Sequence, residues 1–185
     1  MNPASRERRG NSENMIECDT IYGTKILKSK NDLVSRASAY GFIEHEGKIL
    51  VAKISSSNKY FVPGGGVNIF NEDGITINET LADGLQREIM EETGLEIKIG
   101  NHFFFKESFF NYQPKFDSNI DESYYCHCHF YLCQPLSFKL KTQAEIEDEE
   151  SQVPVWINPL ELKQEECQPL LWEALEYYKK NIYGR

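Results

Sequence analysis

The segment between Glu79 and Leu95, ETLADGLQREIMEETGL, constrains the fold of this chain more than any other. Thr80 suits the N-cap position of a helix, and Gly94 suits the left-handed residue that follows a helix end. Between them, apolar side chains recur every four positions, at Leu81, Leu85 and Ile89. This spacing predicts a helix over residues 81–93 with one buried face.

The opposite face of this helix carries three glutamates, Glu88, Glu91 and Glu92. Residues three and four positions apart lie on one face of a helix, so these carboxylates are expected to converge. Carboxylates this close repel one another unless a cation lies among them, and hard oxygen ligands suit Mg²⁺ or Mn²⁺. An acidic face that is only solvated gives the same pattern, so the helix alone leaves both interpretations open.

The charge balance restricts the classes of partner. The 185 residues carry a formal net charge of −9 at pH 7, which argues against a protein whose main task is to grip nucleic acid. An anionic small molecule remains compatible, because bound divalent ions can supply the missing positive charge. No apolar run approaches the about 18 residues of a membrane span, and the N-terminus lacks the apolar stretch of a signal peptide. We therefore expect neither a nucleic acid nor a membrane as a partner.

The remaining composition indicates a reduced, cytoplasmic protein with a single domain. Five cysteines, an odd number, are typical of free thiols in the cytoplasm. Residues 1–14 are polar and basic, which predicts a flexible N-terminal tail. No linker or internal repeat interrupts the rest of the chain, so residues 15–185 are expected to form one domain.

Strand patterns flank the helix on both sides. Residues 21–27 predict an early strand, and a hairpin turn is expected at residues 45–47. Two longer strands, over 96–106 and 124–133, follow the helix, and a terminal helix begins at Pro169. This order predicts an α/β (α+β) fold in which helices cover a mixed sheet.

The helical segment over residues 79–95 has the pattern E-x7-R-E-I-x-E-E-x-G-L, and two glycines, Gly64 and Gly65, precede it in the chain. This pattern closely resembles the signature of the Nudix (MutT-like) hydrolases. The resemblance extends over residues 36–178. It implies an α/β/α sandwich around a mixed β-sheet. It also implies hydrolysis of a nucleoside diphosphate linked to another moiety, written NDP-X, with Mg²⁺ or Mn²⁺ as the cofactor.

The resemblance assigns the metal ligands. It makes Glu88 and Glu92 ligands, adds Glu91 as a third, and adds the backbone carbonyl of Gly65. Glycine lacks a Cβ, which lets the backbone approach a metal ion and its phosphates closely. A metal ion held there would neutralise phosphate charge and lower the pKa of the attacking water.

The resemblance also implies an ion pair and a general base. Arg87 is expected to pair with Glu79 and fix the loop against the helix, although an Arg87 that only supports the helix through Glu91 fits the sequence too. Glu92 is one candidate for the base that removes a proton from water. Family members often place another functional glutamate in an acidic loop, and we select Glu149 from the run over residues 145–150.

The loop before the helix departs from the family pattern. Thirteen residues separate Gly65 from Glu79, which is more than the usual spacing. Gly74 lies nearer, but the strand-like residues before Gly65 favour the earlier glycine. The extra segment over residues 69–77 is expected to project beside the active site, where it either selects substrate or only decorates the surface.

The run Cys126-His127-Cys128-His129 has the residue types of a metal site but not the geometry. Alternate residues of a strand face opposite sides of the sheet, so the four side chains cannot form one tetrahedral site. We expect the cysteines in the core and no zinc. The histidines are expected to be packed or hydrogen-bonded, with a place in a substrate pocket as the alternative.

Two aromatic residues are candidates for substrate binding. Tyr112 lies seventeen positions after Leu95, a placement that resembles dinucleoside polyphosphate hydrolases of the family. Phe110 occupies the position where ADP-ribose hydrolases of the family have proline. An aromatic side chain here suits stacking on the base of any nucleotide. The expected substrate is therefore a small nucleotide derivative whose identity the sequence leaves open.

Two other functions share this scaffold. A catalytically silent module that binds NDP-X usually lacks one of the metal carboxylates, whereas this chain retains all three. A prenyl-diphosphate isomerase needs a cysteine in the pocket, and no cysteine of the sequence is convincingly placed there. We expect a metal-dependent pyrophosphohydrolase that acts as a monomer or homodimer.

Overall fold

The computed structural model describes residues 14–72, 75–114, 117, 119–146 and 150–184. Within these ranges the chain forms eleven strands and two α-helices, together with short 3-10 turns. The predicted N-terminal tail lies outside the described residues except for its last residue.

A mixed sheet forms the centre of the fold. The strands are β1 (Met15–Thr20), β2 (Lys25–Ser29), β3 (Leu33–His45), β4 (Lys48–Ile54), β5 (Lys59–Phe61), β6 (Gly64–Gly66), β7 (Ile69–Glu72), β8 (Ile75–Asn78), β9 (Ile97–Tyr112), β10 (Glu122–Pro135) and β11 (Val155–Ile157). Nine of them form one sheet in the order β11-β4-β3-β10-β9-β1-β2, with β5 beside β4 and β6 beside β3. Because β10 runs parallel to β3 and β1 runs parallel to β9 while the other pairs are antiparallel, the sheet is mixed, as predicted.

Helices α1 (Leu81–Thr93) and α2 (Pro169–Asn181) cover opposite faces of this sheet. The buried residues of α1 pack in a cluster with Ile43, and those of α2 pack in a second cluster with Phe42. Adjacent residues of a strand face opposite sides, so the two clusters lie on the two faces. This arrangement is the predicted α/β/α sandwich. Neither helix is long and apolar enough to cross a membrane.

The ends of α1 confirm the capping residues predicted from the sequence. The Thr80 hydroxyl accepts a hydrogen bond from the Asp83 N–H at 3.1 Å, and Gly94 adopts a left-handed φ of 75°. The Gly94 N–H donates to the Met90 carbonyl at 3.0 Å. Because both ends are capped, the directions of the glutamates along the helix are well defined.

The structure confirms one predicted turn and corrects one predicted strand. Glu46 and Gly47 have φ values of 49° and 73°, as expected for a tight hairpin turn between β3 and β4. The strand predicted over residues 21–27 is wrong in its first part, because residues 21–24 form the turn between β1 and β2 and only residues 25–27 belong to β2. Gly23 has a φ of 72° in this turn, a conformation that glycine adopts without strain.

Strands β9 and β10 are present after α1, as predicted, but both extend further than the sequence pattern indicates. The polar residue Asn111 looks like part of a loop in the sequence. In the structure its side-chain amide donates to Asp121 at 2.8 Å and to the Ser123 hydroxyl at 3.1 Å. These polar groups satisfy one another within the sheet, which allows the strands to continue.

The extra segment before α1 forms a hairpin of its own. Strands β7 and β8 pair with each other and not with the main sheet. The Glu79 N–H donates to the Asn68 carbonyl at 2.9 Å and closes the base of this hairpin. The chain therefore returns to the start of α1, so that Gly65 lies beside the helix in spite of the long loop. Gly74, the rejected alternative, lies outside the described residues.

Candidate active site

Arg87 connects α1 to the loop that precedes it. Its guanidinium donates to both carboxylate oxygens of Glu79, each at 3.0 Å, and to the Gly66 carbonyl at 3.1 Å. It also donates to Glu88 at 2.9 Å and to Glu91 at 3.1 Å. A planar guanidinium with five donors is suited to such multiple contacts. Both pairings of Arg87 considered in the sequence, with Glu79 and with Glu91, are therefore present.

Glu79 closes the site on the loop side. Its side chain is 10% exposed and also accepts a hydrogen bond from the Asn68 N–H at 2.9 Å. The hydrogen bond from Arg87 lowers the pKa of Glu79, and the same pairing raises the pKa of Arg87, so both groups remain charged. A Cβ at Gly84 would stand 3.1 Å from Glu79 Oε2. Close packing therefore accounts for this helix-interior glycine, which costs about 1 kcal/mol relative to alanine.

Gly65 lies against the carboxylate of Glu88. A Cβ at position 65 would stand 2.6 Å from the carboxyl carbon of Glu88 and 2.8 Å from each of its oxygens. Any side chain at this position would displace the carboxylate. The backbone of Gly65 therefore lies close to the carboxylate of Glu88.

Burial and ion pairing shift the pKa of Glu88 in opposite directions. The side chain is 19% exposed, and this desolvation raises the pKa of Glu88 even though Arg87 and Arg36 stabilise its charged form. Repulsion from Glu91 also raises this pKa. A carboxylate in this position gains from additional positive charge, which a divalent cation supplies.

Glu92 contacts the other glycine of the loop. Its Oε2 accepts a hydrogen bond from the Gly64 N–H at 2.9 Å. Gly64 has a φ of 133°, and a Cβ there would stand 2.2 Å from the Ala39 carbonyl oxygen, so only glycine fits. Adjacent glycines of β6 thus contact Glu88 and Glu92, one each.

The donor set around β6 fits a hard divalent cation in its chemistry. In the part of the chain that the structure describes, no three His, Cys, Asp or Glu side chains are already grouped as a metal site. Glu88 and Glu91 instead contact Arg87, and Glu92 contacts Gly64. Rotation about the side-chain torsion angles changes the direction of a carboxylate, so these contacts do not exclude a role of the three glutamates as ligands.

A cavity of about 230 Å³ lies beside Gly64 and Glu92. Aromatic side chains contribute much of its wall, namely Tyr40, Phe61, Phe110 and Tyr112. Both residues predicted to bind substrate, Phe110 and Tyr112, therefore line the same cavity as Glu92.

Besides Glu92, the cavity is lined by Glu150 from the acidic run over residues 145–150. Glu150 is buried and accepts hydrogen bonds from the Ser56 hydroxyl at 2.7 Å and the Ser56 N–H at 3.2 Å. Glu149, which the sequence analysis selects as a base, lies outside the described residues. The acidic run alone carries no signal that separates Glu149 from Glu150, because both positions have the same residue type.

Arg36 is a cation near the carboxylates that the sequence analysis missed. Its guanidinium lies 5.1 Å from the centroid of the Tyr124 ring, and a Cβ at Gly66 would stand only 1.8 Å from its Nε. It stabilises the charged form of Glu88. Arg36 belongs to β3, far from α1 in the sequence, so no local pattern connects it with the helix.

The histidines of β10 lie away from the cavity. His127 is 3.2 Å from the Ser35 hydroxyl, and His129 is 3.2 Å from a ring nitrogen of His102. Neither histidine is among the described residues that line the cavity. The expectation of hydrogen-bonded histidines is therefore confirmed, and their alternative place in a substrate pocket is not supported.

The cysteines are all buried free thiols. Cys126 and Cys128 face the core, as predicted, but they also line the cavity. This finding corrects the expectation that no cysteine lies near the pocket. The hydrogen bond between the two thiols, together with burial, raises the pKa of Cys128, which disfavours a reactive thiolate there.

The sandwich fold, the acidic helix and the adjoining cavity define a class of enzyme, the pyrophosphohydrolases. A family model described as the NUDIX domain matches residues 33–178. The chain therefore belongs to the Nudix family, and the prediction of a pyrophosphohydrolase is confirmed. Enzymes of this family generally depend on a divalent metal and act on small nucleotide derivatives.

Several solved structures share this fold. The MutT NUDIX hydrolase from Burkholderia pseudomallei is 18% identical, with a TM-score of 0.57 over 78% of this chain and 98% of that chain. A NUDIX hydrolase from Nitrosomonas europaea is also 18% identical, with a TM-score of 0.57 over 81% of this chain and 73% of that chain. An ADP-ribose pyrophosphatase from Streptococcus suis is 16% identical, with a TM-score of 0.50 over 79% and 92% of the two chains. At these identities the likeness shows the fold alone, and no curated protein matches the sequence.

Proposed function

We propose that this protein hydrolyses the diphosphate linkage of an NDP-X substrate and uses Mg²⁺ or Mn²⁺ to do so. The supporting observation is the contact of Gly65 with Glu88 and of Gly64 with Glu92, next to a cavity with aromatic walls. Hard oxygen donors next to a cavity with aromatic walls support a metal-dependent reaction of a nucleotide derivative.

The metal ligands in this proposal are Glu88, Glu92 and the Gly65 carbonyl, with Glu91 as a further ligand. A bound divalent ion supplies positive charge to the diphosphate oxygens and lowers the pKa of water. The raised pKa of Glu88 supports its role, because a neighbouring cation stabilises the charged form that burial disfavours. Glu91, whose side chain is 54% exposed, has the weaker structural support.

Arg87 and Glu79 are positioning residues in this proposal. Arg87 contacts the Gly66 carbonyl, Glu79 and Glu88 at the same time. It therefore fixes the distance between the glycine loop and α1. The relative placement of groups within a fraction of an ångström has a large influence on catalytic rate.

The base of the substrate is proposed to stack on the aromatic wall. Phe110 and Tyr112 line the cavity at the end of β9, and an aromatic face accepts any nucleobase. The ADP-ribose pyrophosphatase from Streptococcus suis and a UDP-X diphosphatase are among the proteins of similar fold. Their substrates, together with dinucleoside polyphosphates, are the first candidates for X.

A carboxylate is proposed to accept the proton of the attacking water. Glu92 is one candidate and Glu149 is the other, as the family resemblance implies. Glu150, which follows Glu149 directly in the chain, lines the cavity together with Glu92 and accepts a hydrogen bond from Ser56. Single substitutions of glutamine for Glu149 and Glu150 separate these neighbours, since the base should affect turnover far more than substrate affinity.

The proposed function is tested by hydrolysis of a substrate panel with Mg²⁺ or Mn²⁺. The panel contains ADP-ribose, dinucleoside polyphosphates, nucleotide sugars, NADH, nucleoside triphosphates and isopentenyl diphosphate. We expect metal-dependent turnover of an NDP-X class that is lost in Glu92→Gln and retained in Glu96→Gln, which changes an exposed glutamate just beyond α1.

Two results would contradict this proposal. Metal-dependent nucleotide binding without turnover of any substrate would favour the silent module. Isomerisation of isopentenyl diphosphate that is lost in Cys126→Ser would favour the isomerase, since Cys126 lines the cavity.

A further inference from the structure

The hairpin of β1 and β2 precedes the residues matched by the family model, which begin at residue 33. This hairpin nevertheless reaches the cavity, because Asp19, Thr20 and Ile21 line it. A segment outside the matched span of the family therefore forms part of the wall of the candidate active site.

The hairpin is fastened to its surroundings by hydrogen bonds. The side-chain amide of Gln168, the residue before α2, donates to the Ile21 carbonyl at 2.8 Å. The Tyr22 hydroxyl donates to the Gln113 carbonyl, just after β9, at 2.6 Å. Because the turn is attached to both neighbouring elements, the position of Asp19 at the end of β1 is well defined.

Asp19 lies beside the aromatic wall and away from the glycine loop. It is the register partner of Phe110 in the parallel pair of β1 and β9. Registered residues of neighbouring strands face the same side, so the carboxylate and the ring share one wall. Strands β10 and β9 separate β1 from β3, whose Tyr40 pairs with Gly64. Strand β6 lies on the other edge of β3, so four strand spacings, about 19 Å along the sheet, separate β1 from that loop. Asp19 and Glu92 nevertheless line the same cavity, so a nucleotide whose diphosphate lies at Glu92 points its base towards the wall that holds Asp19.

The Asp19 carboxylate is available to a ligand. Within the described residues, no hydrogen bond or ion pair is formed by this side chain. Lys25, its partner across the hairpin, is bonded to Glu17. A half-buried carboxylate in a cavity is stabilised by donors that a ligand brings.

We propose that Asp19 selects guanine as the base of the NDP-X substrate, an inference that rests on the proposed function. Guanine presents two adjacent donors, N1–H and N2–H, which match the two oxygens of one carboxylate. Phe110, beside Asp19, offers its ring for stacking on the same base. The contact and the stacking together recognise a base that is held away from the diphosphate.

The other common bases do not match a carboxylate equally well. Adenine and cytosine each place an acceptor nitrogen next to their amino donor, and uracil places carbonyl oxygens on both sides of its N–H. An acceptor that faces the Asp19 carboxylate is repelled and cannot be satisfied by it. Guanine is therefore the base that fits without an opposing acceptor.

The test compares GDP-glucose, ADP-glucose, UDP-glucose and CDP-glucose, which share the X group and differ only in the base. We expect the wild type to prefer GDP-glucose. Asp19→Asn should raise KM for GDP-glucose about tenfold or more, with kcat changed little, and reduce the preference for guanine. Asp32→Asn makes the same chemical change at an exposed site in the same part of the chain and should leave both properties unchanged.

Several results would overturn the inference while the proposed function stands. One is hydrolysis by Asp19→Asn with the KM and base preference of the wild type. Another is a change confined to the X group, measured with GDP-glucose, GDP-mannose and GDP-fucose. If the wild type hydrolyses none of these nucleotide sugars, the wider substrate panel decides the proposed function, and calorimetric binding of GDP and ADP by the wild type and Asp19→Asn decides the base contact separately. Thermal unfolding of Asp19→Asn and of Asp19→Ser separates a lost contact from a lost fold.

Discussion

Two regions of the candidate site differ in how their polar side chains are satisfied: the acidic face of α1 beside the cavity (the ionic end) and the aromatic wall of the cavity (the aromatic end). At one end, the carboxylates of Glu79 and Glu88 are bonded to Arg87, which also contacts the glycine loop. At the other end, the Asp19 carboxylate has no such partner within the described residues, and Phe110 and neighbouring aromatic rings form the wall. The first end is therefore preorganised for one chemistry, whereas the second end is open to contacts that depend on the ligand.

Removal of Arg87 is expected to have the largest effect on the ionic end. Arg87→Ala leaves the poorly exposed carboxylates of Glu79 and Glu88 without their partner, which should lower the free energy of unfolding by about 3 kcal/mol. Urea unfolding measures this change. Glu91→Gln is the control, because it removes only an exposed partner of the same guanidinium and should cost less than about 0.5 kcal/mol. Equal stability of Arg87→Ala and the wild type would contradict the preorganised state of this end.

Substitution of the adjacent glycines separates catalysis from folding at the same end. Gly65→Ala pushes the flexible carboxylate of Glu88 aside, so activity should fall about 100-fold while the free energy of unfolding changes by less than about 1 kcal/mol. Gly64→Ala instead meets the Ala39 backbone and should destabilise the fold by about 2 kcal/mol or more. Steady-state kinetics and urea unfolding of both variants measure these effects. Full activity of Gly65→Ala would show that the position of Glu88 is not critical.

The aromatic end is expected to affect binding more than turnover. Phe110→Ala removes a stacking surface from the cavity and should raise KM for the nucleotide substrate about tenfold, with kcat nearly unchanged. The neighbouring Phe109 stacks on Tyr125 instead, with a centroid distance of 5.1 Å. Phe109→Ala is therefore the matched control and should leave KM unchanged. An equal rise of KM in both variants would contradict the assignment of Phe110 to the base.

The smallest expected effect is on the pH dependence of stability, which distinguishes the carboxylates of Glu79 and Glu88 at the ionic end. The lowered pKa of Glu79 means that its charged form stabilises the fold above its unfolded pKa of about 4.3, and this contribution is lost as the pH falls through the folded value. The raised pKa of Glu88 has the opposite sign, since its stabilising contribution is present at low pH and is lost as the pH rises through the folded value.

At pH 7 without metal, Glu79→Gln should therefore unfold more easily than the wild type. Glu88→Gln should be equally stable or more stable by up to about 1 kcal/mol. Thermal unfolding at pH 7 and pH 4 measures both variants, and the difference between them should shrink at the lower pH. Destabilisation of both variants by the same amount at pH 7 would contradict the opposite pKa shifts.

The sequence predicts those parts of the site whose residues lie close to one another in the chain. The positions of Arg87, Glu88, Glu91 and Glu92 follow from the period of one helix, and the caps at Thr80 and Gly94 fix its bounds. The contact between Gly65 and Glu88 follows from the family pattern that links the loop to this helix.

The parts that the sequence does not predict depend on strand pairing. Arg36 and Asp19 reach the site because β3 and β1 join the sheet beside β10 and β9, and no spacing in the sequence encodes those neighbours. The chain turns at Gly23, where the sequence predicts a strand, and the hairpin that results brings Asp19 to the cavity. Long-range pairing requires three-dimensional information that local periodicity does not contain.

The most direct test of the central claim measures Mn²⁺ binding and hydrolysis in the same samples. Electron paramagnetic resonance of free Mn²⁺ gives the binding, and phosphate release from the preferred NDP-X gives the turnover. We expect the wild type and Glu96→Gln to bind Mn²⁺ and to hydrolyse substrate only with metal. Glu88→Gln should lose about 100-fold or more in both properties without a loss of stability. Metal-independent hydrolysis by the wild type, or unchanged binding and turnover in Glu88→Gln, would contradict the account.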